Sequence, residues 1–373
     1  MRVAHILKTT GLSGAESHLL TLSGGLLAEG WESRLIVLVN QRRPPTALIE
    51  AARAANVQID TVPLAGDLDM AATAKIAALL KSAQAQIVHT HMIHGDLYGT
   101  LAARMAGIAV VQTRHNDDKF RRRWPVRLLA RWLAGQAKTV IAISDSLATF
   151  ARDVEGVPGP KIVRIHYGLD PVQVTAKACP GALRAELGLN DDVPLIGAVG
   201  RLTEQKGFRY LLEAFAIVRR SLPQAQLVIA GDGELRSTLE AQGHKDAVRF
   251  LGWRSDVPSV MADIDVLAVP SLWEGFGLVT LEAMALSKPV VASRVSALPE
   301  IVASGETGLL VPPADPKALA GALCALLTAK AQARAMGERG RVRLQIDFSV
   351  QRMVRQHVAV YKEAASRVQE FRA

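Results

Sequence analysis

Residues 265–293, DVLAVPSLWEGFGLVTLEAMALSKPVVAS, combine a strand, a glycine turn, a helix and a second strand in one short stretch. The outer runs DVLAVP and PVVAS are short, apolar and rich in valine, which is typical of parallel strands buried on both faces. Gly275 and Gly277 allow a sharp turn, and we expect a helix from about Leu278. Strand–helix–strand units of this kind predict a doubly wound parallel sheet.

The same alternation runs along most of the chain and pauses once. It is interrupted near HYGLDPV (166–172) and through TAKACPG, a segment that suits a linker. With 373 residues, two α/β domains are expected, 1–170 and 171–348, and three helical stretches are expected beyond Pro316. The predicted strands are VAHIL, SRLIVLV, VQIDTVPL, QIVHTH, AVVQT, TVIAIS and KIVRIH, then PLIGAVG, QLVIAG, AVRFLG, DVLAVP and PVVAS.

Composition narrows the class of protein. Two cysteines cannot form a secreted disulfide framework, and no run reaches the ~18 apolar residues of a membrane span. The start of the chain does not resemble a signal peptide. We therefore expect a soluble, cytoplasmic protein. The net charge of +9 suits nucleic acid, an anionic membrane or phosphorylated ligands, while 5% aromatic residues argue against a base-stacking surface.

A first candidate site follows the strand PLIGAVG. Gly200 and Arg201 come directly after this strand, and Lys206 and Gly207 stand at a predicted helix start. Two cations here, one on the loop and one beside free helix amides, suit a diphosphate. The alternative is a solvated basic turn.

Two carboxylates frame the glycine turn of the opening stretch. Glu274 lies at the exit of its strand, and the amides of Gly277, Leu278 and Val279 would face an anion. Glu282, one turn into the helix, could accept hydrogen bonds from vicinal hydroxyls such as those of a ribose. Glu274 could accept from sugar hydroxyls or balance positive charge in a transition state. A helix with an acidic first turn would explain Glu282, but it would explain neither the glycines nor Glu274.

Together these motifs resemble those of the family-4 retaining glycosyltransferases of the GT-B fold. The likeness rests on E-G-F-G with a second Glu eight residues after the first, on G-R-L…K-G upstream, on GLSGAES at 11–17 and on HYGLD. It implies two Rossmann-like domains facing across a cleft, with the C-terminal helix (349–373) packing back on the N-terminal domain. It also implies transfer of a hexose, with retention, from a nucleoside-diphosphate sugar to an acceptor hydroxyl, without metal or other cofactor.

The resemblance also assigns roles by position. Ser13 replaces the first glycine of the family's G-G-x-E loop, but Gly14 is present to offer its amide near the donor phosphate, with Glu16 starting the helix behind it. His115, in TRHND (113–117), matches the family's active-site histidine. The other implied roles are diphosphate binding for Arg201 and Lys206, ribose binding for Glu282, and binding of the transferred sugar for Glu274.

Histidines also cluster in HTHMIHGD (89–96). His89 and His91 share one face of a strand, which is compatible with metal binding, but no third ligand at suitable spacing follows in the segment. We therefore expect no metal site, and instead an acceptor-side wall that includes His91 and Asp96.

The segment 119–135, KFRRRWPVRLLARWLAG, interleaves six basic residues with two tryptophans and contains no carboxylate. This pattern suits a helix lying on an anionic membrane, and a lipid-linked or cell-envelope acceptor in polysaccharide or lipopolysaccharide synthesis would fit it. In the ordinary alternative, one face packs on the domain and the arginines are solvated.

Two further function classes stay open at this point. The chain could be a nucleotide-sugar isomerase or hydrolase, or an inactive nucleotide-sugar-binding subunit. An NAD enzyme is disfavoured, because GDGEL (231–235) leads to Arg236 where a dinucleotide loop has its third glycine. A nucleic-acid partner is not expected, because it would have to coexist with a carboxylate-lined cleft.

Overall fold

A computed structural model describes residues 1–40, 44–66, 69–117, 119–243 and 246–369. The chain divides into two compact units, unit 1 with Met1–Gly168 and Val350–Ala373, and unit 2 with Leu169–Ser349. The sequence pattern placed these boundaries at 170 and 349. Each unit is a Rossmann-like α/β domain, as predicted.

In the described residues, unit 1 forms a parallel seven-stranded sheet with the order β3-β2-β1-β4-β5-β6-β7. Its central strands β4, β5 and β6 are fully buried, as expected for a parallel sheet with helices on both faces. The strands are β1 (Arg2–Lys8), β2 (Glu32–Val39), β3 (Gln58–Pro63), β4 (Ile87–His91), β5 (Ala109–Arg114), β6 (Thr139–Ala142) and β7 (Ile162–Arg164). Numbered along the whole chain, the helices are α1 (Gly14–Ala28), α2 (Thr46–Ala54), α3 (Met70–Ser82), α4 (Met92–Ala106), α5 (Trp124–Gln136), α6 (Asp145–Asp153) and, at the C-terminus, α16 (Val350–Gln369), with short 3-10 turns at Lys119–Arg122 and Gly159–Lys161.

The C-terminal helix α16 belongs to the core of unit 1. Met353, Val354 and Tyr361 are buried on the sheet face that is also covered by α1, next to Val3 of β1 and Ile87 of β4. Burying such a face contributes roughly 1.5–3 kcal/mol for each large side chain. The α16 segment is therefore held to unit 1 by an amphipathic face, as the resemblance implied.

Among its described residues, unit 2 has a parallel six-stranded sheet with the order β10-β9-β8-β11-β12-β13. The strands are β8 (Leu195–Val199), β9 (Gln226–Ala230), β10 (Val248–Gly252), β11 (Val266–Val269), β12 (Val290–Ser293) and β13 (Gly308–Val311). The helices are α7 (Pro171–Ala176), α8 (Ala182–Leu187), α9 (Phe208–Ser221), α10 (Arg236–Gln242), α11 (Val257–Asp263), α12 (Leu278–Ala285), α13 (Leu298–Ile301), α14 (Pro316–Thr328) and α15 (Lys330–Asp347), with a 3-10 turn at Glu204–Lys206.

Two features of unit 2 correct the sequence-based expectation. Strand β13 was not predicted, because GLLV lies within a run read as helix and loop; it pairs with β12 at the sheet edge, where Gly308 lets its backbone approach Val290 O. The predicted linker is also more ordered than expected. It contains α7, which starts at Pro171 and is capped by Asp170, whose side chain accepts from Val172 N at 2.9 Å.

Both strand orders create a topological switch point. In unit 1 it lies between β1 and β4, and in unit 2 between β8 and β11. The loops that leave these strand pairs run to opposite sides of the sheet, so a crevice opens at the carboxyl ends, where ligands of such sheets bind. In unit 2, β8 ends just before Gly200 and β11 just before Pro270. Both predicted donor-site loops therefore begin at this crevice.

Candidate active site

The loop after β8 is shaped by contacts between glycines. Gly200 has φ +153° and Gly231, after β9, has φ +141°, values that side chains rarely tolerate. A Cβ on Gly231 would overlap the carbonyl oxygen of Gly200. Leu202 N also donates to Asp232 O at 2.9 Å, so the two loops hold each other in place. The exposed Arg201 side chain on this loop has no hydrogen bond or ion pair with any described residue, and its guanidinium is available to an anion.

Lys206 and Glu274 meet across the switch point. Lys206 Nζ donates to Glu274 Oε2 at 2.6 Å, and the two side chains are only 18% and 9% exposed. The loops are joined by Leu272 N, which donates to Gln205 O at 2.8 Å. Gly207, with φ +64°, lets the chain pass close to Pro270 O. The sequence analysis placed both charged residues at the site, but it did not foresee that they pair.

Two serines hold Glu274 in place. Ser271 Oγ donates to Glu274 Oε2 at 3.1 Å, and Glu274 N donates to Ser296 Oγ at the same distance. A carboxylate fixed by an ammonium, a hydroxyl and a backbone anchor is preorganised, because little reorganisation is needed when a ligand arrives.

The start of α12 supplies backbone donors. Gly277, with φ +96°, is its N-cap residue, and Thr280 N donates back to Gly277 O at 2.9 Å. The first amides of a helix have no partner one turn earlier, so those of Leu278 and Val279 lie at the positive end of the helix dipole. Phe276 anchors the turn by packing edge-to-face on Phe348, with ring centroids 6.2 Å apart.

Glu282 lies one turn into α12, as predicted. It is only partly exposed, and burial raises its pKa from the usual 4.5 to about 7, although Lys177 opposes this shift. In the described part of the chain, nothing forms a hydrogen bond with its carboxylate. Glu282 is therefore a poorly hydrated acceptor without a partner, which suits a ligand that brings two hydroxyl donors.

In unit 1, Gly14 is the exposed first residue of α1. Glu16 is buried in the first turn, where it accepts from Ser13 N at 2.9 Å and also from Ser13 Oγ. This capping arrangement confirms that Glu16 starts the helix, and it gives the serine at position 13 a structural reason. The phosphate-binding role of Gly14 stays a prediction.

His115 directly follows β5 and is part of a hydrogen-bonded chain. Its Nε2 lies 2.9 Å from His91 Nδ1, and its Nδ1 shares a hydrogen bond with Tyr167 Oη. Burial, helped by the charges of Arg114 and Arg121, lowers the pKa of His115 to about 3. His115 is therefore neutral at pH 7 and has both ring nitrogens occupied. Sequence reasoning found His115 but missed its partners, which lie on other strands and loops.

His91 and Asp96, the predicted acceptor-side residues, are fully buried. Asp96 accepts from Thr90 Oγ1 at 2.7 Å and from Arg114 Nη1 at 3.0 Å. Arg114 also pairs with Glu155 at 2.6 Å. Neither His91 nor Asp96 reaches the surface of unit 1, so a part in acceptor binding, which stays a prediction, would act through residues that they position.

Arg121 corrects the expectation of a continuous basic surface over 119–135. Its side chain is 2% exposed, and Nη1 lies 2.6 Å from Glu155 Oε1. The ion pair offsets the large cost of burying both charges, so Arg121 is a core residue. The side chain of Lys119 lies outside the described residues.

One face of α5 packs on the domain through Ala130, Leu133 and Ala134, and the other face is exposed to solvent. Trp124, Leu128 and Trp132 recur every four residues on α5 and are 69%, 51% and 44% exposed. Arg127 and Arg131 are exposed beside them. Exposed large apolar side chains with arginines alongside are a pattern that is also found on helices lying in a membrane interface. No helix in the described ranges is long and apolar enough to cross a bilayer.

Two Rossmann-like units, each with its own parallel sheet, are the architecture of the GT-B fold. Residues 12–173 match the model described as Glycosyltransferase Family 4, and residues 193–329 match the one described as Glycosyl transferases group 1. The chain is 30% identical to the alpha-maltose-1-phosphate synthase of Mycolicibacterium smegmatis, over 81% of this chain and 83% of that protein. The chain therefore belongs to glycosyltransferase family 4.

Two further relatives are informative. The UDP-Gal:alpha-D-GlcNAc-diphosphoundecaprenol alpha-1,3-galactosyltransferase of Escherichia coli is 32% identical over 65% of this chain and 66% of its own length. Among solved structures, Anabaena HepE in complex with UDP and glucose superposes with a TM-score of 0.83 at 21% identity, covering 97% of this chain and all of that one. This likeness confirms the fold.

Proposed function

We propose that this protein is a retaining hexosyltransferase that moves a sugar from a nucleoside-diphosphate sugar to a hydroxyl of a lipid-linked or cell-envelope glycan. The observation that carries the proposal is the composition of the unit 2 crevice. A free guanidinium, an ammonium–carboxylate pair, helix amides and a second carboxylate without a partner converge on one switch point.

Each group has a role in binding the donor. Arg201, Lys206 and the first amides of α12 bind the diphosphate, through charge-assisted bonds worth roughly 1.5–3 kcal/mol each. Glu282 accepts from the ribose hydroxyls and Glu274 from the transferred sugar. Since Lys206 and Glu274 are already 2.6 Å apart, the phosphate and the sugar to which it is bonded would meet adjacent groups.

The proposed reaction takes its course from the family resemblance. As the bond between the anomeric carbon and the phosphate oxygen breaks, Arg201 and Lys206 stabilise the negative charge on the leaving diphosphate. Glu274 stabilises the positive charge on the sugar ring. The acceptor hydroxyl then forms the new bond on the face that the phosphate leaves, and the phosphate takes its proton, so configuration is retained. The roles of His115 and Gly14 stay predictions from the resemblance.

We take UDP as the first donor nucleotide to test. The name of the Escherichia coli relative specifies UDP-Gal, and Anabaena HepE holds UDP and glucose. We also propose that donor binding needs no divalent metal, because two cationic side chains and a helix N-terminus would supply the positive charge that a metal ion brings to a diphosphate.

The exposed face of α5 suggests where in the cell the enzyme acts. We propose that the α5 face formed by Trp124, Leu128, Trp132, Arg127 and Arg131 holds the enzyme on the inner face of the cytoplasmic membrane. Basic residues near an anionic surface contribute about 1 kcal/mol each, and interfacial tryptophans add apolar burial. Such a surface would bring the enzyme to a lipid-linked acceptor.

Nucleotide binding tests the donor site. Thermal stability would be measured with UDP, GDP and ADP, each with and without EDTA, relative to the same buffer without nucleotide. A ligand at 100 times its Kd adds about 2.7 kcal/mol. We expect one nucleotide to stabilise the wild type equally in both buffers and to lose this effect in Lys206→Ala and Glu282→Ala. No shift with any nucleotide would refute the site.

The rate at which the nucleotide sugar is consumed distinguishes a transferase from an isomerase or hydrolase. A transferase consumes the nucleotide sugar faster when a suitable acceptor is added, and its product keeps the anomeric configuration of the donor. Full-rate consumption of donor alone would instead favour an isomerase or hydrolase.

The membrane surface needs its own control. We expect Arg127→Glu/Arg131→Glu to lose flotation with vesicles that contain anionic lipid. The matched variant Arg220→Glu/Arg334→Glu reverses two exposed arginines of unit 2 and should float like the wild type. Equal flotation of all three proteins, or equal binding to neutral and anionic vesicles, would contradict the proposal.

A further inference from the structure

Six of the nine histidines form one cluster in unit 1, in which five rings are buried and His115 is partly exposed. Neighbouring rings have centroids 4.2 to 6.0 Å apart. The histidine cluster, as we call it, consists of His5, His18, His89, His91, His115 and His357. So many imidazoles in an apolar core are costly unless they bind something or satisfy one another.

Strand register brings three of these rings together. Strands β1 and β4 pair in parallel with His5 opposite His89, so the two side chains project from the same face of the sheet. His91 is two residues beyond His89 and shares that face, because side chains alternate along a strand. All three are fully buried. The sequence argument against a metal sought a third ligand within 89–96, but the third imidazole comes from β1.

The spacing of the nitrogens fits a metal ion. One ring nitrogen from each of His5, His89 and His91 lies within 4.8 Å of the other two. His5 Nδ1 and His91 Nε2 are 3.1 Å apart. Two imidazole nitrogens that share a tetrahedral zinc ion, at 2.0–2.1 Å each, are about 3.3 Å apart. Small ring rotations would therefore convert this contact into shared coordination.

Hydrogen bonding within the cluster is incomplete. His5 Nε2, His357 Nε2 and both ring nitrogens of His18 are buried without a hydrogen bond. Every neutral imidazole has one donor and one acceptor nitrogen, and leaving either unsatisfied in the interior costs roughly 1–3 kcal/mol. Hydrogen bonds within the cluster therefore do not satisfy every ring, and the position of the ion is defined by the spacing of His5, His89 and His91.

Groups that would orient the ligands are already in place. His91 Nδ1 lies 2.9 Å from His115 Nε2. His89 has hydroxyls at both nitrogens, Tyr361 Oη at 2.7 Å and Thr113 Oγ1 at 2.6 Å. One hydroxyl would keep its bond while the other nitrogen binds the ion. Partners of this kind fix the ring orientation of metal-binding histidines.

We propose that His5, His89 and His91 bind a divalent transition-metal ion of the zinc class, which cross-links β1 and β4 in the core of unit 1. Three neutral nitrogen ligands suit zinc and its neighbours, whereas magnesium and calcium prefer oxygen. A water molecule would take the fourth position. The ion would hold β1 to β4 and is separate from donor binding, which we propose to be metal-independent.

Metal content and cobalt spectroscopy test this site. The full-length protein, with any affinity tag removed, would be stripped by chelator and dialysed against zinc, and bound metal would be measured by elemental analysis. We expect one zinc per chain. Titration with Co²⁺ should give the visible absorption of a tetrahedral nitrogen site, and zinc should abolish it.

Variants then locate the ion. His5→Gln and His91→Gln should each weaken binding of Zn²⁺ and Co²⁺ at least tenfold. His166→Gln, which lies outside the cluster and is paired with Arg164, is the matched control and should bind like the wild type. Equal loss in the control, or retention in both cluster variants, would overturn the assignment.

Wild-type measurements keep the proposal testable even if the variants fold poorly. Zinc at 100 times its Kd should raise the melting temperature of the stripped wild type by roughly 5–10 °C. Absence of a cobalt spectrum together with no retained zinc and no such shift would refute the site. Stabilisation by UDP is read separately, so failure here leaves the donor site unaffected.

Discussion

Replacing Glu282 with glutamine separates stability from function at the donor site. The carboxylate lies on α12, where burial raises its pKa from 4.5 to about 7. The folded protein therefore binds a proton more tightly here than the unfolded chain does. The charged form is disfavoured on folding, so Glu282 is harmless below pH 4.5 and increasingly destabilising as the pH rises toward 7.

The size of the effect follows from the shift. Burial raises the pKa of Glu282 from 4.5 to about 7. At 1.36 kcal/mol for each pKa unit, the charged carboxylate lowers the free energy of unfolding by about 3 kcal/mol at pH 8. Because the side chain is partly exposed, water reduces this figure, and we expect Glu282→Gln to stabilise unit 2 by about 1–3 kcal/mol. For a domain of this size, that is a rise in Tm of roughly 2–12 °C.

Differential scanning calorimetry at pH 8 and at pH 5 measures the effect. The gain from Glu282→Gln should be largest at pH 8 and should shrink toward pH 5, where the wild-type carboxylate is mostly protonated when folded. Glu306→Gln, an exposed site in the same unit, should change Tm little at either pH. The same gain at both pH values, or none at pH 8, would refute a desolvated carboxylate.

The same variant should weaken nucleotide binding, because glutamine has an NH₂ donor where the carboxylate has its second acceptor oxygen, and it carries no charge. A more stable protein that no longer responds to UDP would show that Glu282 is retained for the ligand, against its effect on stability.

Three further substitutions test particular contacts. Lys206→Ala should lower kcat/KM by about 10- to 150-fold, measured by steady-state kinetics, because one charge-assisted contact is lost; an unchanged value would remove Lys206 from the site. Gly231→Ala should lower Tm and weaken UDP binding, since a Cβ there overlaps the carbonyl oxygen of Gly200, whereas Gly321→Ala, with open space around it, should not. Glu155→Gln leaves two buried arginines underpaired and should cost about 3–5 kcal/mol by chemical denaturation, and a loss below 1 kcal/mol would show that the pairs are dispensable.

The local sequence pattern was sufficient to predict most strands and helices and to find the polar residues at the strand ends. Strands β1 and β11 were visible as β-branched apolar runs, and Glu274 and Arg201 as polar residues directly after strands. The short edge strand β13 was missed, because four residues in a glycine- and proline-rich context carry little periodic signal.

Contacts between distant segments were decided by the tertiary structure. Helical and strand periods show which face of an element is apolar, but they do not show which element covers that face. Arg121 looked like a surface cation because its partner, Glu155, lies 34 positions away. Lys206 and Glu274 are 68 positions apart, so the sequence did not show that they pair either.

The histidine cluster shows most clearly which features the local sequence predicts and which depend on the tertiary structure. From sequence alone, His89 and His91 share a strand face, and His115 follows the next strand. That His5 joins them depends on β1 lying beside β4, which is a property of the sheet order. The sequence alone thus determined the alternating α/β elements, their apolar faces and the strand ends that carry polar groups. The tertiary structure decided which polar groups meet, because strand order and register, which no local pattern encodes, bring distant residues together.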